Sequence, residues 1–102
     1  MVFKKKFTVT ISPTAYKDID DAITYYALHS KKASRLFYEN TFKTIDVIRK
    51  NPYYEIRFDN YRVLKIHKFP FLVIFKVNEK KKEILVVTIF NTHRNPDKME
   101  LK

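Results

Sequence analysis

Asn51-Pro52 divides the chain into two parts with different hydrophobic periods. From Ala15 to Ile48, apolar residues recur every three or four positions. From Tyr54 onward they alternate with polar ones. The first period belongs to amphipathic helices and the second to half-buried strands. A chain that groups its helices and then its strands predicts an α+β fold, not an alternating α/β one.

The elements follow from this switch. Phe7 to Ile11 alternates apolar residues with threonine, as a strand does. Ser12-Pro13 then starts a helix: serine caps free N–H groups, and proline at the first position has none to lose. Ala15/Tyr16, Ile19, Ala22/Ile23 and Tyr26/Ala27 form one face of a helix over 13–29. Asp18, Asp20 and Asp21 lie in its first half, where the helix dipole favours acids. After a break at Ser30-Lys31, a second helix carries Ala33, Leu36/Phe37, Thr41, Ile45 and Ile48 on one face. Asn51-Pro52 stops it, because a residue before proline avoids the helical region. The two helices read as an αα-hairpin.

Four strands follow. Tyr54 to Phe58 and Tyr61 to Ile66 flank Asp59-Asn60, two residues that tolerate the positive φ of a tight hairpin. Phe71 to Val77 and Glu83 to Phe90 are apolar on both faces, so both are expected at the centre of the sheet, with 78–82 as the turn between them. The order is β-α-α-β-β-β-β. It predicts an antiparallel sheet, joined by the first strand, with the αα-hairpin packed on one face.

At 102 residues the chain is expected to form one domain, 1–102. Hydrophobic residues make up 45%, enough for a core, so disorder is not expected. With no cysteine there is no disulfide or thiolate site. His29, His67 and His93 lack metal-ligand spacing, and neither metal nor cofactor is expected. Lys4, Lys5 and Lys6 interrupt the first apolar run, which does not read as a signal peptide. No run approaches the ~18–20 apolar residues of a membrane span. A cytoplasmic location without a membrane partner is the expectation. The net charge is +10, from 21 basic and 11 acidic residues, and is shared evenly between the halves. Such a charge suits RNA, DNA or an acidic protein segment, with a lysine-rich genomic bias as the competing explanation.

The ordered pattern resembles the RelE/ParE toxin superfamily over nearly the whole chain. Ile11-Ser12-Pro13-Thr14-Ala15, Asp18-Ile19-Asp20-Asp21 and Tyr25-Tyr26 are similar to the family's first strand and helix. Asn51-Pro52 and Arg62 match the stop of the second helix and the arginine after it. The strand from Phe69-Pro70-Phe71 to Val77 resembles that of ParE-like and plasmid-stabilisation branches, and 91–96 resembles the end of the last strand. The resemblance implies the toxin half of a bacterial type II toxin–antitoxin pair, held in a hetero-oligomer by a cognate antitoxin. RelE-like members cleave mRNA on the ribosome; ParE-like members inhibit DNA gyrase. A basic RNA-binding module without toxicity is a further alternative. It would stack bases on aromatics, but Tyr16, Tyr26, Phe37, Phe58, Phe75 and Phe90 all read as core.

Inhibition of translation by metal-independent mRNA cleavage is the first expectation. That chemistry needs a base, an acid and cations around the crowded phosphate. Arg62, His93 and Arg94 are the candidate catalytic residues, and Lys65, His67 and Lys98 the candidate RNA-binding ones. By strand alternation Lys65 shares a face with Tyr61 and Val63, while Arg62 lies with Leu64 and Ile66. The sequence departs from the RNA-cleaving branch in two places. The strand at Phe71 starts without an arginine, and no tyrosine follows the last strand.

Overall fold

The computed structural model describes residues 7–93. Strand β1 (Thr8–Ile11) leads into helices α1 (Pro13–Ala27) and α2 (Lys31–Lys50). Strands β2 (Ile56–Phe58), β3 (Tyr61–Lys65), β4 (Phe71–Asn78) and β5 (Glu83–Asn91) complete the described chain. The five strands form one sheet in the order β1-β5-β4-β3-β2. The two longest and most apolar strands are therefore internal, as their two-sided hydrophobicity requires.

Both helices start on serine caps. The Ser12 hydroxyl accepts from Ala15 N–H at 3.0 Å, and Ser30 from Ala33 N–H at 3.1 Å. Each cap satisfies one of the N–H groups left free by a helix start, worth ~1 kcal/mol. The helices cover one face of the sheet. Ala15, Ile19 and Ala22 of α1 and Phe37, Ile45 and Ile48 of α2 meet Val73, Phe75, Ile84, Val86 and Ile89 in the core. Aromatic rings fill the end near the αα-turn: Phe37 lies 5.2 Å from both Phe69 and Phe71.

The sheet is mixed where an antiparallel one was expected. β2 to β5 alternate through hairpins, but β1 runs parallel to β5, with Thr8 opposite Glu83 and Ile11 opposite Val86. Across the αα-hairpin and its connector the chain reverses, so β2 runs opposite to β1, and the three antiparallel steps from β2 to β5 leave β5 parallel to it. Tyr53, which follows α2, packs against Phe7 with ring centroids 6.0 Å apart.

Two further expectations are corrected. Tyr16 is 57% exposed, not core. Its neighbour Ala15 is fully buried and lets the helix close on the sheet, which turns Tyr16 outward. Phe58 and Phe90 are only half-buried. The Asp59-Asn60 hairpin holds as expected, with φ of 49° at Asp59.

Candidate functional site

The C-terminal half of α2 and strand β3 do not close on each other completely. A groove of about 350 Å³ remains between them. Its floor is apolar, from Val47, Tyr54 and Leu64, and Lys43, Lys65 and His67 stand along it without a carboxylate among the lining side chains. The sequence explains the opening. Where α2 faces β3 it offers Asn40, Thr41 and Thr44, which are too small or too polar to fill the space that Phe37 fills one turn earlier.

Asn40 sets the geometry of the groove. Its side-chain amide donates to the His67 carbonyl at 3.0 Å, which fixes the β3–β4 turn over α2. Thr44 returns its hydroxyl to the Asn40 carbonyl at 2.7 Å. Below the groove Asp46 accepts from Arg49 at 2.6 Å and lies 3.1 Å from Lys50. The Arg49 and Lys50 hydrogen bonds hold the Asp46 carboxyl below its ordinary range. They also occupy those two cations, so Lys43 and Lys65 supply the groove's positive charge.

The expected site residues fall in different places. Lys65 and His67 come together in the groove. Arg62 does face the core side with Leu64, as strand alternation predicts, but at the other end of β3. Its guanidinium donates to the Tyr54 carbonyl at 2.6 Å and lies 5.7 Å from the Tyr53 ring centre. His93 is exposed just beyond β5, beside the β3–β4 turn, where Thr92 donates to the Pro70 carbonyl at 2.8 Å. Arg62 lies opposite Phe75, and Asn91 opposite Phe71. Four residues along the strand is ~13 Å, and two strand spacings add ~10 Å crosswise. Arg62 and His93 are therefore not brought together. Arg94 and Lys98 lie outside the described residues.

Three polar groups escaped the sequence reading. Lys43 and Asn40 carried no motif, since only the packing of α2 on β3 shows their role. From the sequence Asp18 is expected as a dipole partner, yet it lies beyond the first turn of α1, where that effect fades. Its carboxylate accepts from the Ile89 N–H at 3.0 Å and the Thr88 hydroxyl at 2.5 Å. It caps the edge of β5 where the register slips between Ile74 and Phe75. Among the described residues no cluster of His, Asp or Glu suits a metal ion, and no helix is long and apolar enough to cross a membrane.

Comparison with known proteins agrees with this architecture. A solved structure titled as the chromosomal ParDE toxin–antitoxin system from P. aeruginosa superposes with a TM-score of 0.73 at 16% identity, covering 84% of this chain and 96% of that one. At that identity the likeness is one of fold. No curated protein matches the sequence significantly. The profile of the ParE toxin of type II toxin–antitoxin system, parDE, matches residues 9–96, and the chain belongs to that family.

Proposed function

We propose that this chain is the toxin of a ParDE-type pair, that it acts in the cytoplasm by binding DNA gyrase, and that a cognate antitoxin neutralises it in a hetero-oligomer. The observation that carries the binding mode is the placement of Arg62. It is tied to Tyr54 and stands far from His93. Acid–base cleavage needs its proton carriers and cations within hydrogen-bond reach of one phosphate. Inhibition by binding needs only a surface, and the family is that of ParE toxins.

The groove gives mRNA cleavage one supporting observation. Lys43, Lys65 and His67 line a space open to a phosphodiester. Lysine supplies charge there, and histidine moves protons near neutral pH. Inducible expression separates the two modes when message integrity and plasmid supercoiling are followed together. Loss of supercoiling with intact message supports gyrase. Rapid cutting of translated messages supports the nuclease, and Lys65→Ala and His67→Ala should then each slow cutting by roughly 10²-fold.

A further inference from the structure

Among the described residues, the outer edge of β5 has no neighbouring strand beyond Val86. β1 pairs with Glu83 to Val86 and stops. The start of α1 then serves that edge with side chains. Ser12 donates its hydroxyl to the Val87 carbonyl at 2.7 Å, and Asp18 takes the Ile89 N–H. In an antiparallel ladder, residues two apart turn their main-chain groups the same way. Thr92 donates inward to Pro70, so Asn91, like Ile89, turns its N–H and C=O outward. They face a cavity of about 210 Å³ between α1 and the end of β5.

The lining of this cavity is unlike the rest of the surface. Asp18 and Asp21 supply carboxylates, the latter paired at the surface with Lys17 at 2.8 Å, Tyr25, Tyr26 and Phe71 supply rings, and among the described residues no cationic side chain lines the cavity itself. In a chain of net charge +10, this is a local inversion. The space is smaller than the ~300–1,000 Å³ of a typical small-molecule site. Its scale suits one long side chain.

We propose that an extended segment of the cognate antitoxin adds to the β5 edge at Asn91 and places one arginine or lysine between the two carboxylates and the tyrosine rings. The inference rests on the toxin–antitoxin reading above. Charge complementarity selects this occupant. A cation meets carboxylates and ring faces together, while the strand edge offers main-chain hydrogen bonds. An antitoxin can be acidic overall, to match the toxin's net charge, and still carry this one basic anchor.

The test uses the full toxin with its co-expressed antitoxin. Hydrogen exchange at the Asn91 amide should slow by at least tenfold on complex formation. Asp18→Asn keeps an oxygen for Ile89 N–H but removes the charge, and Asp21→Lys reverses a charge on an exposed side chain. Each should weaken antitoxin binding by about tenfold or more. An acidic replacement of the antitoxin's basic anchor should restore binding to Asp21→Lys. Full affinity in both variants with unchanged Asn91 exchange overturns the inference and leaves the toxin reading standing. Protection of Asn91 in the free toxin through self-association overturns it in favour of a second copy. If the antitoxin does not bind the wild-type chain, both readings fall together.

Discussion

The Arg62 guanidinium donates a 2.6 Å hydrogen bond to the main-chain carbonyl of Tyr54. This bond ties β3 to the segment that leaves α2, and the Tyr53 ring 5.7 Å away adds a cation–π contact. Bonds from charged donors contribute ~1.5–3 kcal/mol. Arg62→Ala should lower unfolding stability by about that amount in chemical denaturation. Arg62→Lys should recover only part, because an ammonium lacks the planar fork. Wild-type stability in Arg62→Ala would show that the bond is dispensable and would free Arg62 for another role.

Asp18 holds the β5 edge through its carboxylate oxygen. Asp18→Ala leaves the Ile89 N–H and Thr88 hydroxyl without that acceptor, at a cost of ~1–3 kcal/mol. Asp18→Asn should melt near the wild-type temperature, since its amide oxygen can take both bonds. Thermal melting followed by circular dichroism separates the two. Equal losses in both variants would mean that the charge, not the acceptor, stabilises the edge.

These two residues show what the sequence could and could not convey. The helix boundaries, the αα-hairpin and the central place of β4 and β5 follow from local period and punctuation at Ser12-Pro13 and Asn51-Pro52. The direction of β1 does not, because it depends on where α2 delivers the chain. Strand alternation places Arg62 on the core side with Leu64, but its bond to Tyr54 needs the path of the connector. Lys65 and His67 share a groove only because Asn40 pins the β3–β4 turn to α2, a contact spanning 27 positions. Tyr16 fails as a core residue because Ala15, one position earlier, takes the buried side.

Thr41 is fully buried, and its hydroxyl has no hydrogen-bond partner among the described residues. An unsatisfied buried hydroxyl costs ~1–3 kcal/mol, whereas an apolar group of the same shape is neutral or better. Thr41→Val should raise the denaturation midpoint, by an amount corresponding to about 1 kcal/mol. A lower midpoint would show that the hydroxyl is bonded in solution.

The Tyr53 hydroxyl donates to Glu79, and that bond, with some burial, raises the phenol above its ordinary value. A raised pKa stabilises the protonated folded form. The contribution is complete below the ordinary tyrosine range and is lost as pH rises through the raised folded value. Tyr53→Phe should therefore remove a stability increment at neutral pH and flatten the alkaline end of the stability profile. An alkaline profile identical to wild type would contradict the bond.

Toxicity through gyrase binding, not RNA cutting, is tested by supercoiling with purified gyrase and increasing toxin, with and without antitoxin, beside a ribosome-dependent mRNA cleavage assay. Supercoiling should be lost and then restored by antitoxin, with intact message and the same inhibition from a His67→Ala, His93→Ala double variant. Unimpaired supercoiling together with message cleavage that the double variant loses would contradict toxicity through gyrase.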